Sequence, residues 1–428
     1  MVQRRMRSGG SARGLPLALY GLMLVTGIAQ NAIVPVLPAF TRHFGLSDTG
    51  AAELLALPSL ATLVASVPAG MLADRYGPRM VTVGAAFVLA AACFAQATPL
   101  FVVFVGGRVA LGLAYAAVWT AGLTWLARFA SRDGARRLGA TVTVSSIGVA
   151  LGPAAIGAVA VWLGDFVPFA LLGLLCVAVV LWLLRLEPGS ASPAAERAGG
   201  RLALGAAGVV TARTQLLRRR GQTGVSRFGG GLGLAILALV ASGALSSSLT
   251  LLVPLQLARA GQGAAVIGVA FSAAGAGYAV VSAVVSRLGA RAATRRVVLL
   301  AMAGLLVAVS PALASPGLVG GLVVLALMVP PRSTIGTVSY AVGLAAAPEN
   351  GVPQGLAMGA LNGLWAMAMM VSPLVMGAAV GAAGYRAAYA VLALGLVAAL
   401  LGAAWCRRSA GLGAAASVAE GAGTVVAT

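Results

Sequence analysis

The residues Gly70-Met71-Leu72-Ala73-Asp74-Arg75-Tyr76-Gly77-Pro78-Arg79 join two long apolar runs. Ten residues hold an acid, two arginines and two glycines, and the flanks hold almost no charge. The arrangement returns later as Ser282-Ala283-Val284-Val285-Ser286-Arg287-Leu288-Gly289-Ala290-Arg291, with Arg, Gly and Arg at a constant offset of 212. A second repeat supports the first. Gly139, Gly152-Pro153 and Gly157 recur as Gly359, Ser372-Pro373 and Gly377 at an offset of 220. Each is followed by a related segment, Gly164 to Phe169 and Gly384 to Tyr389. The chain therefore reads as two halves of one plan.

Composition says where such a chain lives. Of 428 residues, 60% are hydrophobic and 9% charged, against about 25% charged in ordinary soluble domains. A soluble enzyme or a disordered chain is excluded. A membrane helix needs about 20 mostly apolar residues. Twelve such spans are expected near 15–38, 50–72, 80–98, 100–124, 138–161 and 166–185, then 230–254, 264–286, 297–314, 317–345, 355–379 and 386–405. Barrel strands would be shorter and alternating. The 58 glycines suit close helix packing in a bilayer. The first run, behind Arg4, Arg5, Arg7 and Arg13, continues through Pro38 and outlasts a signal-peptide core, so it reads as the first helix.

The fold class expected is all-α and integral to the membrane, with 12 transmembrane helices in two pseudo-symmetric six-helix bundles. Arginine placement orients it, because cytoplasmic loops carry the excess of positive charge. With the N-terminus inside, inside segments hold 24 arginines and outside loops three, Arg42, Arg259 and Arg386. Both termini are expected in the cytoplasm of a multi-pass cell-membrane protein. The organisation is a tail at 1–14, a bundle at 15–185, a cytoplasmic linker at 186–229, a bundle at 230–405 and a tail at 406–428. The net charge of +20 does not point to nucleic acid, since its arginines lie between membrane spans. Cys93, Cys176 and Cys406 show no pairing or metal spacing and read as small core residues. Neither a metal nor a cofactor is expected. With no catalytic constellation and no phosphate-binding loop, the chain is not read as an enzyme or an ATP-driven pump.

These motifs resemble those of major facilitator superfamily transporters. The 70–79 segment is similar to the family's G-x-L-A-D-R-x-G-R-[KR] loop, with Pro78 in place of a basic residue. Arg108 and Gly112 resemble the R-x-x-x-G element of the fourth helix. Gly139, Gly148, Gly152, Pro153 and Gly157 resemble the fifth-helix signature of the 12-helix drug:proton antiporter group, departing from it at Ile156. The resemblance implies a latch at Gly70, Asp74, Arg75, Gly77 and Arg79, with Asp133 as a further partner for Arg75. The latch would close against the start of the eleventh span. It also implies alternating access with a small-molecule substrate held between repeats.

Other residues are read on their own chemistry. Arg108, Gly112, Tyr115 and Trp119 fall on one helical face and read either as cavity lining or, for Arg108, as a snorkelling arginine. Arg332 lies deep in its span behind Pro330 and Pro331. It is read as an anion or Glu53 partner, or as snorkelling. Gln30 and Asn31 occupy the first helix where many relatives carry an acid, and Asn31 cannot titrate. Glu53 reads as a helix-start glutamate. Asn362 and Trp365 are substrate candidates, with an interhelical hydrogen bond as the alternative for Asn362. Ser242, Ser246 and Thr250 share a face of the seventh span. The function expected is proton-coupled efflux of small apolar or amphipathic compounds, such as drugs or secondary metabolites, by a monomer. The alternative is uptake of a small, possibly anionic, metabolite by a symporter or facilitator.

Overall fold

The computed structural model describes residues 2–129, 134–185, 230–347 and 354–406. Among the described residues every regular element is helical. The helices are α1 (Val2–Asn31), α2 (Leu37–His43), α3 (Asp48–Tyr76), α4 (Pro78–Gln96), α5 (Phe101–Ala117), α6 (Leu123–Phe129), α7 (Gly134–Leu163) and α8 (Val167–Arg185). After the segment 186–229, which lies outside the described residues, come α9 (Gly231–Arg259), α10 (Ala264–Leu288), α11 (Arg295–Ala314), α12 (Leu318–Leu327), α13 (Val329–Ala346) and α14 (Gln354–Trp405). The expected linker and most of the C-terminal tail, from residue 407, therefore lie outside the described residues.

Among the described residues eleven helical stretches are long and apolar enough to cross a membrane. The twelfth is hidden in α14, whose 52 residues would extend about 78 Å at 1.5 Å per residue. That far exceeds a hydrocarbon core of about 30 Å. Gly384, at φ 80° and ψ −178°, breaks it where the sequence separates spans eleven and twelve. At the other end, α1 runs back to Val2, although the apolar stretch begins at Pro16. A helix was expected only from about residue 15.

Backbone conformation carries the internal repeat more clearly than side chains do. Among the described residues all positive-φ positions are glycine, the residue without a Cβ penalty there. Six of them pair. Gly45 and Gly261 turn the chain after the first and seventh spans, Gly77 and Gly289 after the second and eighth, and Gly164 and Gly384 after the fifth and eleventh. Gly77, at φ 86°, is the whole connection between α3 and α4. Pro78 then stands first in α4, where its missing N–H costs nothing. This accounts physically for its presence where the family motif has a basic residue.

By contacts the chain forms two compact units. The first comprises Met1–Leu46, Glu53–Ala206 and Gly261–Gly275; the second comprises Ser47–Ala52, Ala207–Ala260 and Ala276–Thr428.

Phe40 anchors one end of the first unit. It is fully buried, with the rings of Phe104, Phe166 and Phe169 at 4.7, 5.1 and 5.6 Å. Each such pair contributes about 0.5–1.5 kcal/mol beyond burial. The single histidine, His43, sits edge-on to Phe44 and Phe166. Asp165 lies beside this cluster, and burial pushes its carboxyl up, while Arg42 and His43 pull it down. A carboxyl raised above its unfolded value of about 3.9 lends stability below that pH and loses it as pH rises through the folded value. Asp165→Asn is therefore expected to be at least as stable as the wild type at pH 7. The gain stays below about 1 kcal/mol because the side chain is half-exposed. Melting curves of both proteins between pH 4 and 8 would test this.

Cys93 and Cys176 are both buried and free, and the two thiols interact between α4 and α8. Their spacing in sequence gave no sign of this contact.

Candidate functional site

Proline places Arg108. Pro58, within α3, has no N–H to offer the carbonyl four residues earlier, that of Leu54. Arg108 Nε takes that acceptor at 3.3 Å. One turn along α5, a Cβ on Gly112 would collide with the Pro58 carbonyl, and Thr62 Oγ1 donates to the Gly112 carbonyl at 3.0 Å. Gly112 is thus a helix-crossing point. Arg108 is only 2% exposed, so it is held inside the first unit and does not snorkel. Its Nη1 has no hydrogen-bond partner among the described residues.

The stripe predicted beyond Gly112 is partly realised. Tyr115 and Trp119 are half-buried with ring centroids 6.0 Å apart. Trp119 lies in a π-helical turn, Val118–Gly122, a wider coil often found at functional sites. The indole Nε1 is buried without a hydrogen-bond partner among the described residues.

The fifth-span glycines work as contact points. A Cβ on Gly148 would strike the Leu24 carbonyl of α1, and one on Gly152 would lie 3.1 Å from Ile28 Cα. Gly157 approaches the Ala264 carbonyl at the start of α10 just as closely. Pro153 interrupts the ladder of α7 nearby, and the Ala154 N–H donates to Ser272 Oγ of α10 at 2.9 Å. Gly139 lies in α7 as expected.

The second unit repeats the device. Pro373 frees the carbonyl of Met369 in α14, and Ser247 Oγ of α9 donates to it at 2.7 Å. Ser372 Oγ lies 2.7 Å from Ser248 Oγ and bonds the Ala244 carbonyl. Ser242 and Ser246, on the face expected for the seventh span, are buried. The polar seam runs through Ser247 and Ser248, and Thr250 bonds the backbone of its own helix.

A polar cluster joins α10, α13 and α14. The Arg332 guanidinium lies 4.8 Å from the centre of the Tyr278 ring. Ser333 Oγ bonds the Tyr278 carbonyl at 3.3 Å, and the Tyr278 hydroxyl occupies the space a side chain at Gly336 would need. Tyr340 donates to Asn362 Oδ1 at 2.9 Å, so Asn362 makes the interhelical bond that was one of its two expected uses. Trp365 instead packs on Gly243 of α9. Tyr278 was missed; the single tyrosine of a helix rich in alanine, glycine and valine was the available signal.

Asp48 and Arg259 were also overlooked as a pair. Arg259 Nη2 meets both carboxylate oxygens of Asp48, at 3.0 and 2.8 Å, and the guanidinium stacks 4.6 Å from the Tyr385 ring. The arginine side chain is 57% exposed, and such pairs contribute little. Asp48→Asn is expected to cost less than about 1 kcal/mol, read as a small, salt-sensitive drop in melting temperature.

The remaining predicted residues are scattered. Gly70 is buried at the foot of α3, while Asp74 and Arg75 are exposed beside Tyr76. Asp74 and Arg79 each have interaction partners. Asp133 falls outside the described residues, and the eleventh span, against whose start the latch would close, begins with α14 at Gln354. Gln30 and Asn31 are half-buried at the end of α1. Pro35 lacks the N–H that would reach the Asn31 carbonyl, which explains the break there. Glu53 is exposed, as a helix-start glutamate would be.

Similarity to known proteins fits this architecture. The sequence model of the Major Facilitator Superfamily matches residues 19–354, and the chain belongs to that family. That family is one of membrane transporters and not of enzymes, and the apolar helices make this chain a multi-pass membrane protein. Two curated relatives share parts of it. An uncharacterised MFS-type transporter of Schizosaccharomyces pombe is 30% identical over 186 residues, 41% of this chain and 40% of that protein. One from Enterobacter sp. strain 638 is 33% identical over 73 residues, 17% of this chain. This chain spans only 40% and 19% of their respective lengths. Among solved structures, a bacterial homologue of the human lysosomal transporter Spinster, inward-facing and occupied, superposes with a TM-score of 0.70 at 14% identity. The superposition covers 91% of this chain and 95% of that one. Its unoccupied form gives 0.70 at 15%, covering 94% and 99%. At that identity the likeness concerns the fold.

Proposed function

We propose that this protein exports small amphipathic compounds by alternating access, driven by the proton gradient, as a monomer in the cell membrane with both termini in the cytoplasm. The observation that carries the reading is the glycine–proline sequence of α7. Gly148, Gly152 and Gly157 each stand where a Cβ would crowd a neighbouring helix, so the residues shared with the antiporter signature shape the packing. One elementary charge moving through 100 mV supplies about 2.3 kcal/mol, enough to bias states a few kcal/mol apart.

Asp74 and Arg75, with Gly77 and Arg79, form the cytoplasmic latch in this reading, and Asp133 is a further partner. Export is tested with inside-out vesicles loaded by an imposed pH gradient. Accumulation of the transported compound should collapse on adding a protonophore. Asp74→Asn at equal expression should lower the rate at least about 10-fold, the loss of one charge-assisted contact. Full activity of that variant would remove the latch, and accumulation indifferent to the gradient would remove the coupling.

Uptake of an anionic metabolite is the second reading. It is favoured by the pairing preferences of the arginines: Arg108 bonds a carbonyl and Arg332 a tyrosine ring, and neither meets a carboxylate among the described residues. In right-side-out vesicles, accumulation along an inward gradient would decide for it.

A further inference from the structure

Arg332 stands near the middle of its membrane stretch, Leu318–Ala346. A guanidinium at that depth is costly unless something compensates it. The Tyr278 ring does so in part, by cation–π attraction. No carboxylate among the described residues completes the pairing: the electrostatic partner of Arg332 is Tyr278. The half-buried cation therefore keeps its fork of donors without an anion.

The surroundings are built to present that fork. Positions 332, 336 and 340 follow at four-residue intervals on one face of α13. Gly336 leaves room for the Tyr278 hydroxyl between Arg332 and Tyr340. The Tyr340 hydroxyl spends its hydrogen on Asn362 Oδ1, which leaves the donor end of that carboxamide unused by the bond. Ser333 pins the Tyr278 backbone, so the ring is held against the arginine from both ends. Arg332, the Tyr278 hydroxyl and the Asn362 amide thus supply donors along one polar strip, with aromatic faces beside them. Arginine forks match carboxylate and phosphate geometry, and the rings suit an apolar tail.

We infer that this strip binds the anionic group of an amphipathic molecule, a carboxylate or phosphate head on an apolar body, with Arg332 as its principal contact. The inference rests on the transport reading and narrows its substrate class. The head belongs either to a dissolved amphiphile or to a membrane lipid, and the same chemistry serves both.

The test measures binding directly, using the purified full chain in nanodiscs of phosphatidylcholine. Octyl phosphate, octanol and octyltrimethylammonium are titrated by tryptophan fluorescence, with empty nanodiscs correcting for partition. Octyl phosphate should bind at least about 10-fold tighter than octanol, the scale of a charge-assisted hydrogen bond, and the cation most weakly. Arg332→Gln should reduce the preference to within about 2-fold, while Arg332→Lys keeps most of it. Tyr278→Phe retains the ring and loses only the hydroxyl's share. Equal affinities for the three heads in the wild type overturn the inference without any variant needing to fold. An undiminished preference in Arg332→Gln overturns it as well. Repeating the titration in phosphatidylglycerol separates the sources: strong competition assigns the strip to a lipid head, and unchanged binding to a dissolved amphiphile. Export with no head-group preference would leave the transport reading standing and remove this one. Head-selective binding without export would do the reverse.

Discussion

Gly148→Leu is expected to yield almost no folded protein. A Cβ at this position already overlaps the Leu24 carbonyl, and Ile28 N lies 3.2 Å from it. These are backbone atoms of α1 and cannot rotate away. The α1–α7 crossing has a second tight point, where Gly27 meets the Ser145 carbonyl, so separation at Gly148 would also open that contact. Overpacking a core costs about 1–3 kcal/mol where side chains can yield, and here the whole helix must move. The expected loss is above about 3 kcal/mol, enough to exhaust much of a marginal stability. The check is the monodisperse fraction in detergent and its melting temperature, beside Gly164→Ala as a control. Gly164 has open space around it, and only its φ of 94° is strained by a side chain.

Arg108→Leu is expected to abolish transport while the fold survives. Two terms oppose each other. Removing a buried guanidinium relieves roughly 2.5–3.5 kcal/mol of insertion cost. Leaving the Leu54 carbonyl without its donor costs about 1–3 kcal/mol. The net change in stability should lie within about 2 kcal/mol of zero. Transport should fall at least about 10-fold, because the partnerless Nη1 is the atom free to engage a moving group. Arg108→Lys keeps the charge but not the fork, and should recover little. A collapse of stability with Arg108→Leu would mark the arginine as a strut, and unchanged transport would exclude it from the cycle.

Much of the architecture was legible because it rests on long-range composition. Ten expected spans appear as separate helical stretches, and the last two share α14, where they separate once the Gly384 break is recognised. The repeats were legible because turns demand glycine, and Gly77 with Gly289, and Gly164 with Gly384, hold positive φ. The polar partnerships were not legible. Arg108 looked like a lining residue because its face was counted on its own helix alone. The carbonyl that holds it belongs to a helix 54 residues earlier. The seam through Ser247 and Ser248 went unread for the same reason: the acceptor of Ser247, Met369 O, lies 122 residues away. Periodicity locates a face, but it does not say which backbone atoms a distant proline has released.

Those released carbonyls bear on how the chain is made. Pro58 and Leu54 leave the ribosome before Arg108, so α3 enters the bilayer with an acceptor that nothing in its own helix can use. The arriving α5 carries a charge that the same acceptor helps to accommodate. In the second unit the order is reversed: the Ser247 hydroxyl waits in α9 for the Met369 carbonyl of α14. Each unit thus contains a pair whose first member is incomplete until a later helix is inserted. A nascent chain halted between α3 and α5 should retain a water-accessible or chaperone-bound second span, and one released past α5 should seal it. Replacing Pro58 would remove the need for that wait and, with it, part of the reason an arginine is tolerated at position 108.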